Sequence, residues 1–320
     1  MKKHILAIAA GLWVGLNASV AFGDQSIADQ YPGSMLYSKP VEVIPHVWSA
    51  IGQTGPSTYE NAGHNNNLSF IITGDGVVVV NGGGGYLLAK ALHDEIRRIT
   101  DQPIKLVVNE NGQGHAMLGN SYWAEQGVPI LANEEAAEEF EQRGYDILDS
   151  AKQRLKDRAE GTDVKVPDQT FEERHTIEMG QFTIEVLMLG PAHSPGDTQV
   201  WLPKQKLVIA GDMAFHERML PIFDDTDTAG WVETWNDEFE KLGAIYVIPG
   251  HGHPTNMDQV RRYTLDYLVD LRGKIAAHLE QGGDLAGAYY VDQSQWQHLD
   301  TFKELATRNA GRVFEAMEFE

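Results

Sequence analysis

Four short stretches of the chain put imidazoles, a carboxylate and carboxamides directly after apolar runs. Val107 to Asn120 carries Asn111, Gln113 and His115. Gly190 to Asp197 carries His193, Ala210-Gly211-Asp212 ends on an acid, and Ile248 to Gly252 carries His251. Such groups serve general acid–base or metal chemistry rather than covalent catalysis. The chain has no cysteine, so thiolate ligands and thiol nucleophiles are excluded, and any metal must sit on His, Asp, Glu, Asn or Gln. No Gly-x-Ser-x-Gly elbow occurs either, which leaves water as the best nucleophile for hydrolysis.

These stretches, in this order and spacing, resemble the motifs of the metallo-β-lactamase superfamily. The resemblance runs from about Val41 to the C-terminus. Gly74 to Asn81 is similar to the first motif, with Asn81 where the family has Asp. The frame Asn111-Gly112-Gln113-Gly114-His115-Ala116 stands where the family shows His-x-His-x-Asp-His. Residue by residue, the resemblance implies a first metal set of Asn111, Gln113 and His193. It implies a second set of His115, Ala116 and His251, with Asp212 available to both. Carboxamides are poor zinc ligands beside imidazoles, and Ala116 binds nothing, so two metals are not expected. His115, His193, Asp212 and His251 remain, and three imidazoles with one carboxylate satisfy a tetrahedral zinc. The expected cofactor is therefore one divalent metal, zinc first, with iron or manganese as alternatives. A decayed site in which these are ordinary loop residues is the competing interpretation.

The implied chemistry is hydrolysis by a metal-activated water. Asp212 is read as a ligand, or as a base if it stays off the metal, and Asn111 or Gln113 as a hydrogen-bond donor to an oxyanion. Arg218 fits a substrate carboxylate or phosphate, or an internal ion pair with Glu217. His64, beside Asn65, Asn66 and Asn67, lies where the family often places a substrate flap, although a turn-forming role comes first for that loop, since Asn and Gly stabilise turns without any ligand. The fold implies no single substrate; ester, lactone and lactam bonds are all candidates. Two further readings stay open: a ligand-binding or accessory protein of a periplasmic oxidation system, and a mononuclear iron redox protein.

The elements that must hold these residues are strands alternating with helices. Strands are expected at 70–73, 77–81, 104–108 and 128–132, with helices near 87–100 and 117–125. A charged helical cover spans 133–161, with Phe140, Ile147, Leu148 and Leu155 at helical spacing. Strands then return at 170–173, 175–178, 183–189, 198–202 and 206–210. Two such halves predict an α/β fold, the four-layer αββα sandwich that the resemblance also implies, with a C-terminal helical tail. Residues 1–23 read as a signal peptide, 24–256 as the αββα domain and 257–320 as a helical extension packed on it. The leader reading rests on basic Lys2-Lys3, the apolar run from Ile5 to Val20, and Ala21-Phe22-Gly23 as a small-x-small cleavage site. It places the protein in the periplasm or outside the cell, without a membrane partner once the leader is removed. A chain of 320 residues, 42% hydrophobic, is long enough for one large core. Its formal charge of −21, or −23 without Lys2 and Lys3, argues against nucleic acid and anionic membranes as partners. A small-molecule substrate is the expected partner.

Overall fold

The structure, a computed structural model, describes residues 31, 33–318 and 320. The expected leader at 1–23 lies outside the described residues, among which no helix is long and apolar enough to cross a membrane.

The first half forms a seven-stranded sheet in the order β1 (Val41–Ile44), β2 (Val47–Ala50), β3 (Leu68–Ile72), β4 (Val77–Val80), β5 (Ile104–Val108), β6 (Ile130–Asn133) and β7 (Gln169–Phe171). The first four strands pair antiparallel, and β4 to β7 run parallel. Parallel neighbours need crossover connections. These are α1 (Tyr86–Ile99) between β4 and β5, then α2 (Gly114–Met117) and α3 (Asn120–Glu125) between β5 and β6, and α4 (Glu134–Leu155) between β6 and β7. Asn133 caps α4, its side chain accepting from the Glu135 N–H, which satisfies one of the otherwise unpaired amides of the first turn.

The second half forms a five-stranded sheet from β8 (Arg174–Met179), β9 (Phe182–Leu187), β10 (Gln199–Leu202), β11 (Leu207–Phe215) and β12 (Tyr246–His251), in the order β12-β11-β10-β9-β8. Only β11 and β12 are parallel. Between them comes α5 (Thr228–Thr234), which continues into irregular helical turns to Leu242. The chain ends in α6 (Met257–Tyr263), α7 (Leu265–Glu280), α8 (Leu285–Ala288) and α9 (Phe302–Met317).

Alternation within the strands explains the layering. In β4, Val78 and Val80 face the second sheet, packing with Ile184, Val200 and Ile209, while Val77 and Val79 face α1 through Leu88, Leu92 and Ile96. Both faces of the strand are therefore apolar, as a parallel strand covered on each side requires. The outer face of the second sheet is covered by the C-terminal helices: Trp201 and Val208 share a core with Leu268, Leu271, Val313 and Phe314. The layers are thus helix, sheet, sheet, helix. The helix expected near 117–125 is broken into α2 and α3 at Gly119, whose N–H donates to the Gly83 carbonyl instead of to the helical ladder, in an approach so close that a Cβ would lie 2.0 Å from the Gly82 oxygen.

Candidate metal centre

The strands β4, β5, β11 and β12 all deliver polar residues to one rim. After β4, Asn81 takes a positive φ of 73°, and its Oδ1 accepts from the Glu110 N–H at 3.0 Å. The loop after β5 carries Glu110, Asn111 and Gln113 and passes into α2, which bears His115. The loop after β9 brings His193, Asp212 lies within β11, and His251 ends β12. A register shift in β11 around Gly211 turns Asp212 towards the rim.

The structure brings His115, Asp212 and His251 together, with one potential ligand atom from each lying within 4.8 Å of the others. His251 Nε2 is 3.3 Å from Asp212 Oδ1, and His115 Nε2 is 3.6 Å from Asp212 Oδ2. His251 Nδ1 donates to the Asn65 carbonyl, which fixes the ring and leaves the Nε2 lone pair facing Asp212. Asp212 Oδ1 is buried without a hydrogen-bond partner. Two electron-rich atoms so close in a buried space fit a cation between them.

His193 stands on the other side of Asp212, with Nδ1 3.6 Å from Oδ2, outside that group of three. Its ring lies among Phe215, Phe223 and Trp231. The Nδ1 atom is 3.2 Å from Gln113 Nε2 and accepts from that amide. Asn111 Nδ2 donates to Asp197 Oδ1 and Asp212 Oδ2, both at 3.3 Å, and its Oδ1 accepts from the Gln113 N–H. The first set of ligand positions is thus bonded to itself through two carboxamides. Amide N–H groups point where a cation would have to stand, so that set does not fit a metal as built.

Burial works to raise the Asp212 carboxyl, but His251, His115 and His193 outweigh it and hold it well below the usual carboxylate range. Burial and the neighbouring Arg218 guanidinium push His251 down to about 4, so the ring stays neutral and able to ligate. Burial also lowers His193. For His115 burial acts downward, yet Asp212 and Glu110 prevail and raise it. Burial raises Glu110 and, more strongly, Asp197, with the Asp212 charge adding to both. Asp212, held ionised, thus shares one buried rim with two further acids, Glu110 and Asp197, a concentration of acceptor oxygens that suits a divalent cation.

Arg218 is 6% exposed; its NH1 lies 3.2 Å from His251 Nδ1, and its Nε donates to the Met219 carbonyl. His64 is fully buried, with Nδ1 accepting from the Tyr37 N–H and Nε2 3.2 Å from the Ala50 carbonyl. Trp231 and Trp235 are core residues, and Trp48 stacks on Phe70. Gln113 also lines a cavity of about 470 Å³ with Glu139, Arg143, Ser194 and Phe223, which opens beside the first set. Sequence reasoning missed Glu110 and Asp197. The signal for Glu110 was an acid wedged between Asn109 and Asn111 straight after a buried strand, where solvation is unattainable. For Asp197 it was Ser194 three residues earlier, whose N–H and Oγ both donate to that carboxylate.

Residues 115–251 match the Metallo-beta-lactamase superfamily. The chain is 22% identical over 193 residues to a metallo-beta-lactamase type 2 of Bacteroides fragilis, covering 57% of this chain and 70% of that protein. Among solved structures it is similar to a metallo-beta-lactamase from Pontibacter korlensis, with a TM-score of 0.60 and 21% identity over 72% of this chain and 98% of that one. At that identity the structural likeness speaks for the fold.

Proposed function

For a chain of the metallo-β-lactamase superfamily with this rim, we propose an exported hydrolase that uses one divalent metal held by His115, Asp212 and His251. Superfamily membership supports metal-dependent hydrolysis in general. The observation that carries the single-metal reading is the contrast between the two ligand sets. One presents an unpartnered Asp212 Oδ1 to a neutral His251, and the other is tied up by Asn111 and Gln113. A divalent metal bound there supplies Lewis acidity and a water that ionises near neutral pH.

The chain's own residues prepare that site. Burial, with Arg218 adding to it, keeps His251 neutral, and the Asn65 carbonyl sets its ring. Asn111 is committed to two carboxylates, so Gln113, which bonds His193 Nδ1 and lines the 470 Å³ cavity, is the amide placed to exchange that bond for one to a substrate oxygen. The substrate is a small molecule with an ester, lactone, lactam or related bond. The leader reading at 1–23 supports a periplasmic or secreted location.

The test is elemental analysis of protein purified from the periplasm, with hydrolysis assays across those substrate classes before and after chelation. About one zinc per chain with chelator-sensitive turnover is expected. His251→Ala should lose the metal, since two strong donors then remain. A protein that takes up no divalent metal and hydrolyses nothing would instead be a binding or accessory protein. A second reading has one observation in its favour: two imidazoles and one carboxylate are also the ligand set of mononuclear non-haem iron sites. Iron in the purified protein, without hydrolysis, would favour it.

A further inference from the structure

Glu110 lies on the rim beside His115 but is not among the three donors assigned to the metal above. It is 2% exposed, in the loop leaving β5, with its N–H held by Asn81. Oε1 lies 2.9 Å from His115 Nε2, while Oε2 is buried with no hydrogen-bond partner. Room for that oxygen is made by Gly211, which precedes Asp212. A Cβ there would lie 2.4 Å from Oε2, and the backbone φ of +56° also disfavours a side chain. The same His115 nitrogen is 3.6 Å from Asp212 Oδ2, so it faces two buried carboxylates at once, although Glu110, like His193, stands outside the group of three whose ligand atoms lie within 4.8 Å of one another.

We propose that Glu110 is itself a ligand of the metal, making the centre one of two imidazoles and two carboxylates: His115, His251, Asp212 and Glu110. The inference rests on the metal-binding reading above. Three protein donors leave the fourth position of a tetrahedral zinc to water, and Ala116 supplies nothing where the superfamily resemblance implies an imidazole. Glu110 replaces that donor from the other end of the same loop. As a mere acceptor for His115 it would keep a buried oxygen unsatisfied, at a cost of about 1–3 kcal/mol. As a ligand it spends its charge on the cation. A fifth position for water remains compatible with such a set, because catalytic zinc expands to five ligands.

The experiment uses chelator-stripped protein titrated with Co²⁺, followed by visible absorption, for wild type, Glu110→Gln and Glu110→Asp. Gln retains an acceptor for His115 but not the anionic oxygen. Glu110→Gln should weaken Co²⁺ binding by more than about 100-fold, beyond the 10–100-fold typical of outer-shell changes, and should alter the d–d bands. Glu110→Asp should fall between the two. A crystal structure of zinc-loaded wild type, which needs no variant to fold, should place a Glu110 oxygen about 2.0–2.2 Å from zinc. An unchanged Co²⁺ spectrum in Glu110→Gln, or a Glu110 oxygen beyond about 3 Å from zinc, would overturn the assignment while leaving the metal site intact. A wild type that binds neither metal would overturn the underlying reading as well.

Discussion

An imidazole brings a lone pair to a metal, whereas a carboxamide in the same place can bring N–H bonds to the carboxylates that would have faced it. Asn111 does the second. Its amide nitrogen sits between Asp197 and Asp212, and Asp197 is in turn held by the Ser194 N–H and Oγ. Gln113 occupies the His193 nitrogen in the same way. Both amides thus meet a buried acceptor, which argues for remodelling rather than decay: without Gln113 the His193 Nδ1 would join its Nε2 in having no hydrogen-bond partner in a buried space. Restoring both imidazoles, as Asn111→His with Gln113→His, should therefore raise bound zinc from about one to about two per chain by elemental analysis. It should also lower native turnover, because the second cation would draw Asp212 away from the first. A double variant that stays at one metal and keeps full activity would show that these amides do not gate the first set.

The elements fix this geometry through close backbone approaches. Gly250, next to last in β12, leaves no space for a side chain: a Cβ there would lie 2.4 Å from Asp212 Oδ1. Gly250→Ala should displace the carboxylate, weaken metal binding by at least about 10-fold, and destabilise the stripped protein by about 1–3 kcal/mol of overpacking. Chelator competition and urea unfolding read the two effects separately; unchanged affinity would mean that Asp212 is not held by this contact. The sequence made such strands visible where both faces are buried, as in Val77–Val80 and Leu207–Ala210, because the whole run is then apolar. It hid β1, whose residues are exposed or half-buried and which stops before Pro45, so no apolar run marks it. The rim residues His115, Asp212 and His251 were legible from the motif frame. Their grouping apart from His193 was not, since it depends on which side of Asp212 each ring reaches. Glu110 was hidden for a related reason, as its nearest imidazole belongs to the turn of helix that follows.

At the scale of the whole molecule, the rim is tied to the N-terminal edge through the loop between β2 and β3. His64 accepts from the Tyr37 N–H, contacts the Ala50 carbonyl, and directly precedes Asn65, whose carbonyl orients His251. Burial pushes His64 down to about 4, below its ordinary 6.5, because a charged ring there loses its hydration. The unfolded chain therefore takes up this proton first as pH falls. The stability contributed by neutral His64 is complete above about 6.5, drains away between 6.5 and about 4, and changes little below that. The shift corresponds to roughly 3 kcal/mol lost by pH 4. His64→Gln, which keeps an acceptor and a donor but cannot charge, should be less stable than wild type at pH 7. The difference should shrink or reverse by roughly that amount at pH 4. Urea unfolding of both proteins in chelator, at several pH values, measures it without interference from a bound metal. Parallel stability curves for the two would mean that His64 does not carry the acid sensitivity, and that the loop is held by its backbone turns alone.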